Sequence, residues 1–121
     1  MLRPVAVLRR ATRAGELAYA LEAEQLVFLT DVAGVMDGGG RVIRRLDRRR
    51  AGILSTSGVI QGGMIPKLSA CLRALERSPV ANIIDGRQPD ALIDCVLGNS
   101  TGTTIVEDFR KARRREKTGE A

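Results

Sequence analysis

Apolar positions along the chain form two kinds of short run, some spaced as on one face of a helix and some nearly continuous. Ile65, Leu68, Leu72 and Leu75 recur at helical spacing, and Pro66 is tolerated only in a first turn, so a helix is expected to open near Met64. Leu17, Ala18, Ala20 and Leu21 predict a shorter amphipathic helix over 14–23, and Ala91, Leu92, Cys95 and Val96 another over 89–97. Gln25-Leu26-Val27-Phe28-Leu29-Thr30 and Val80-Ala81-Asn82-Ile83-Ile84 read as buried strands, with Gly102-Thr103-Thr104-Ile105-Val106 closing as a third. Asp37-Gly38-Gly39-Gly40 is a turn, and Arg41-Val42-Ile43 after it predicts a small hairpin. Leu46, Ile53 and Leu54 predict a helix from about Asp47 to Ser55 despite Gly52. Val5-Ala6-Val7-Leu8 is either a strand or not ordered at all.

Composition narrows this pattern to a class. A chain of 121 residues with 44% hydrophobic content is enough for one domain with a core. With no Trp, one Tyr and two Phe, that core must be aliphatic, which fits parallel strands covered by helices. An α/β fold with a mostly parallel sheet is expected. The helix-then-strand order from 14 to 30 suits a crossover onto such a sheet.

Charge and rare residues exclude several chemistries. There is no His, and Cys71 and Cys95 lie far apart, so neither a zinc site, a C-x-x-C pair nor a His-activated nucleophile is available. Both cysteines are expected to be buried thiols in a reducing compartment. The formal net charge of +6 is concentrated in two runs, 44–50 and 110–117. Neither is interleaved with aromatics for base stacking, so nucleic acid is not the expected partner. No run reaches membrane-spanning length and the start lacks a signal-peptide core, so a cytoplasmic protein is expected.

Two places remain that could carry chemistry. Gly62 and Gly63 stand directly before a helix N-terminus, where backbone amides and a partial positive charge favour an anion, and Lys67 adds a full charge in the first turn. Asp31 follows the first strong strand, and ligands of open α/β sheets collect at the carboxyl ends of strands. On local grounds alone, Gly62 and Gly63 could merely make a turn and Asp31 could merely cap one.

Leu29-Thr30-Asp31-Val32-Ala33-Gly34-Val35-Met36-Asp37, Gly62-Gly63-Met64-Ile65-Pro66-Lys67, Ile83-Ile84-Asp85-Gly86-Arg87 and Gly102-Thr103-Thr104-Ile105 follow one another in this order. Together they resemble the carboxyl-terminal half of the N-acetylglutamate kinases of the amino acid kinase family. The resemblance implies a three-layer α/β/α sandwich whose carboxyl-terminal half binds ATP with Mg2+. It also implies transfer of the γ-phosphoryl group to N-acetyl-L-glutamate in arginine biosynthesis. Lys67 then corresponds to the lysine that stabilises charge on the transferring group. Asp31, Val32, Ala33, Gly34, Val35 and Met36 correspond to one nucleotide-binding segment, and Val59, Ile60 and Gln61 to a second. No protein-held metal is implied, and a homo-oligomer is compatible with the resemblance.

The likeness covers 14–106 and departs on either side of it. An Asn-x-Asn-Ala-Asp motif of the family would fall on Val7, Leu8, Arg9, Arg10 and Ala11, which hold none of its functional residues. The amino-terminal half and a second catalytic lysine are also without counterparts. The expectation is a divergent segment over 1–13, an ATP-binding half over 14–106, a basic tail over 107–121, and a truncated or frameshifted gene product inactive by itself. Asp90 and Cys95 stand where arginine-inhibited members carry His and Glu, so arginine inhibition is not implied. A degenerate noncatalytic module, a basic nucleic-acid-binding protein and a kinase for carrier-bound aminoadipate are the alternative readings.

Overall fold

Alternation along the most apolar strands places a separate hydrophobic layer on each side of one sheet. A computed structural model describes residues 4–9 and 13–110. Its strands are β1 (Val5–Leu8), β2 (Gln25–Thr30), β3 (Arg45–Asp47), β4 (Val80–Asp85) and β5 (Thr103–Val106). Its helices are α1 (Ala14–Leu21), α2 (Arg48–Thr56), α3 (Met64–Ala74) and α4 (Ala91–Val96). The five strands form one sheet in the order β1-β2-β4-β5-β3. β1, β2 and β4 are mutually parallel, β5 is antiparallel to β4, and β3 is parallel to β5.

Leu26 and Phe28 of β2 and Ala81 and Ile83 of β4 share one core with Ala18 of α1, Ala51 of α2 and Leu68, Cys71 and Ala74 of α3. The intervening residues Val27 and Ile84 face the other way, against Ala91 and Cys95 of α4. Helices therefore cover both faces, as in an α/β/α sandwich. Each large aliphatic or Phe side chain removed from water contributes about 1.5–3 kcal/mol, and the first core holds most of them. Both cysteines are free and buried, and burial raises the Cys71 thiol to about 12.

The structure resolves the open question at the amino terminus. Val5–Leu8 is an edge strand in register with Gln25, Leu26, Val27 and Phe28, burying Ala6 while Val5 and Val7 stay exposed. The hairpin contracts to a single bridge between Met36 and Val42, closed by Asp37 N–H to the Arg41 carbonyl at 2.8 Å, and it stays outside the sheet. β3 went unanticipated because Leu46 is its one buried residue amid charged neighbours. Asp47, expected inside a helix, instead ends β3 and caps α2, its Oδ1 accepting from Arg50 N–H at 2.9 Å. The basic tail from residue 111 on, the motif positions Arg10 and Ala11, and residues 1–3 lie outside the described residues.

Three of the five arginines in the inner basic run are taken up by the fold. Arg44 donates to the carbonyls of Thr101 and Ser100, and Arg48 to Glu107 and the Leu72 carbonyl. Arg45 lies 5.6 Å from the centre of the Phe109 ring. Among the described residues no helix is long and apolar enough to cross a membrane.

At the approach to β5 the backbone passes close against β4. A Cβ on Gly102 would fall onto the Ile83 carbonyl oxygen and within 3.0 Å of the Ile84 Cα, both backbone atoms that cannot swing aside. Gly102→Ala is therefore expected to lower stability by about 1–3 kcal/mol. A reduced urea midpoint with an unchanged m-value would check this.

Candidate functional site

The first turn of α3 meets the end of β2 because the two elements run in opposite directions. Leu68 and Cys71 of α3 share a core with Leu26 and Phe28. Thr30 is next on the same face of β2, and Lys67 precedes Leu68 on the helix. The Lys67 Nζ donates to Thr30 Oγ1 at 2.7 Å, so the polar end of each element meets the other where the apolar layer stops. Lys67 is half-buried and Thr30 is buried.

An open cleft of about 780 Å3 lies beside this contact. Its size falls within the range of small-molecule sites. Asp31, Val32, Gly34, Val35 and Met36 form one wall, Val59, Ile60 and Gln61 a second, and Gly63, Met64 and Lys67 the third. Of the residues singled out in the sequence, Ala33 and Gly62 are outside the lining.

The helix start differs in detail from the simple picture of free amides. Met64 N–H and Ile65 N–H turn back onto the carbonyls of Gln61 and Gly62 at 3.4 and 3.2 Å, and Pro66 has no N–H. Among the described residues, the amides left to meet an anion there are those of Gly62 and Gly63. Space in front of them is open, since a Cβ on either glycine would meet nothing within 4 Å.

Two carboxylates line the cleft and differ in availability. Asp37 Oδ1 accepts from Gly39 N–H and Arg41 N–H at 2.8 and 2.9 Å, which lowers its pKa. It belongs to its turn. Asp31 is exposed; among the described residues its Oδ1 makes a long contact of 3.5 Å with Thr30 Oγ1, and its charge acts on the Arg87 guanidinium. Among the described residues there is no group of three His, Cys, Asp or Glu side chains that could hold a metal ion.

Thr103 was not identified as a site residue, yet it fixes the wall formed by Gly34 and Val35. Its Oγ1 accepts from Val35 N–H at 2.9 Å and donates to the Ile43 carbonyl at 2.6 Å, with the side chain fully buried. Gly34 permits the approach, because a Cβ there would sit 2.8 Å from Thr103 Oγ1. Its sequence signals were a hydroxyl residue in a strand and its place in the Gly102-Thr103-Thr104-Ile105 motif, and neither gave it a role in the site. At the end of β4, opposite Thr30 in register, Asp85 accepts from Arg87 Nε and Nη2, each at 2.9 Å, and from Arg87 N–H at 3.0 Å. These bonds, the side-chain ones first, hold its carboxyl down at about 2.

The sequence profile of the Amino acid kinase family matches residues 6–85 of this chain. The chain belongs to the amino acid kinase family. Within it, the acetylglutamate kinase of Dehalococcoides mccartyi is 47% identical over 93 residues, covering 77% of this chain and 34% of the relative. The acetylglutamate kinase of Gloeobacter violaceus is 49% identical over 100 residues, covering 78% of this chain and 33% of the relative. This amino acid kinase chain thus spans about a third of the length of such relatives. Among solved structures, N-acetylglutamate synthase from Neisseria gonorrhoeae, complexed with coenzyme A and L-arginine, superposes with a TM-score of 0.71. It is 26% identical, over 81% of this chain and 23% of that one. Carbamate kinase from Giardia lamblia bound to AMP-PNP shares the fold, with a TM-score of 0.64 and 23% identity over 78% of this chain and 30% of that one.

Two outcomes check this geometry. Thr103→Val strands a buried N–H and a buried carbonyl and should cost about 1–3 kcal/mol for each, whereas Thr103→Ser keeps both bonds. Comparing the two in urea melts separates the hydroxyl from the shape. The Asp85 carboxyl releases its proton more readily in the folded chain, so its stabilising effect is complete above its ordinary value of 3.8 and lost as pH falls through about 2. Asp85→Asn should flatten that part of a stability-against-pH curve.

Proposed function

We propose that this chain is the ATP-binding part of an acetylglutamate kinase, acting in transfer of the γ-phosphoryl group to the side-chain carboxylate of N-acetyl-L-glutamate in arginine biosynthesis. The observation that carries the reading is the placement of Lys67 in the lining of one cleft with Asp31, Val32, Gly34, Val35 and Met36 and with Val59, Ile60 and Gln61. Phosphoryl transfer asks a protein chiefly for positioning and for charge facing the equatorial oxygens, and neither requires a histidine. Lys67 supplies the charge, and Gly63, whose amide is left over at the helix start, lines the cleft beside it. The apolar Val59, Ile60 and Met36 offer surface for a base. Mg2+ would enter with the nucleotide phosphates, with the exposed Asp31 the cleft carboxylate to meet it or its waters.

The choice of acceptor rests on the names of relatives that are 47% and 49% identical. The acceptor site itself is assigned to sequence this chain does not span, in keeping with its coverage of 34% of the first of them. Lys67 is also the one lysine among the described residues. Production of N-acetyl-L-glutamyl 5-phosphate is accordingly expected only when an amino-terminal half of such a kinase is added.

Titrating the full chain with Mg-ATP, followed by thermal melting, tests the reading. Nucleotide at a hundred times its dissociation constant should raise stability by about 2.7 kcal/mol, and Lys67→Ala should remove most of that gain. Melting curves that ignore nucleotide altogether would overturn the proposal.

A further inference from the structure

We propose that Thr30 is the positioning residue for the Lys67 ammonium, holding it at the phosphate end of the cleft through an uncharged acceptor. The inference rests on the function proposed above, since it assigns Thr30 to the same site. A lysine ends in a compact charge on a flexible four-carbon stem, so a half-buried helix position does not by itself fix where the charge sits. Here it is fixed by one hydrogen bond of 2.7 Å to Thr30 Oγ1. The threonine is suited to that task because it is itself immobile. It is the last residue of β2, 8% exposed, and its carbonyl accepts from Gly86 N–H at 2.7 Å. Among the described residues its own hydroxyl proton is directed at Asp31 Oδ1, 3.5 Å away, an arrangement that leaves its lone pairs for Lys67.

The acceptor being neutral matters as much as its position. Among the described residues no carboxylate pairs with Lys67. A carboxylate partner would orient the ammonium and cancel much of its field at the same time. A hydroxyl orients it and leaves the charge intact. Of the three ammonium protons one is committed to Thr30, and two remain for a phosphoryl group. Thr30 would thus act through Lys67 without touching the nucleotide, and its contribution should appear with a γ-phosphate and vanish without one.

Calorimetric titration of the full chain with Mg-ATP and Mg-ADP tests this in the wild type, Lys67→Ala, Thr30→Val and Thr30→Ser. Valine keeps the shape of threonine and removes the acceptor; serine keeps the acceptor. The expected result is that Thr30→Val loses about tenfold or more of the preference for ATP over ADP, as Lys67→Ala does. ADP affinity should hold in Thr30→Val, and Thr30→Ser should retain the wild-type preference. A Thr30→Val chain that keeps the preference, or that weakens ATP and ADP equally, overturns the inference. A second readout is independent of nucleotide: in chain labelled with 15N-lysine, the Lys67 ammonium signal should be slowed in exchange in wild type and Thr30→Ser and lost in Thr30→Val. If wild type binds neither nucleotide the proposed function fails, and the ammonium signal still decides whether Thr30 holds Lys67; an unchanged signal in Thr30→Val sinks the positioning role alone.

Discussion

Everything in the cleft depends on the register between β2 and α3. Side chains alternate along a strand, so Leu26, Phe28 and Thr30 must share a face, and a slip of one residue would send all three to the α4 side. The apolar pair is what enforces the choice, because the first core closes only if Leu26 and Phe28 meet Leu68 and Cys71. Thr30 is carried to its place by the residues before it. Lys67 is carried by the residues after it. A polar contact worth little in water becomes dependable because two stretches of buried hydrocarbon deliver its partners.

A second constraint reaches the cleft from β5, two strands across the sheet from β2. β5 runs against β4, and Thr103 at its start ties Val35 to Ile43 across the chain. The loop after β2 would otherwise be a stretch of small residues with few contacts of its own. With Gly34 pressed against Thr103, its path is set by the sheet and not by its own turn preferences. The wall facing Lys67 thus inherits rigidity from strands that contribute no side chain to the cleft.

The contrast between what could and could not be read from residues follows from range. The opening of α3 at Met64 was legible because Pro66 and the spacing of Ile65, Leu68 and Leu72 are local signals. The limits of β2 were legible for the same reason. The meeting of Asp31 and Lys67 at one cleft was reached through strand-end reasoning and four ordered motifs. β3 was missed because a single buried leucine in a charged run has no period to detect. Thr30 and Thr103 were passed over as site residues because their partners lie 37 and 68 positions away, and a hydroxyl acquires its role only when the fold closes.

Cys71 follows Lys67 by one helical turn on the same side of α3, and its thiol is held at about 12 by complete burial. Nothing can wet that sulfur without lifting the helix from Phe28, and nothing can lift the helix while leaving the ammonium on its hydroxyl. The chain therefore has no half-open form in which the interior is wet and the charge keeps its place. Losing the solvent-tight centre carries the charged mouth away with it.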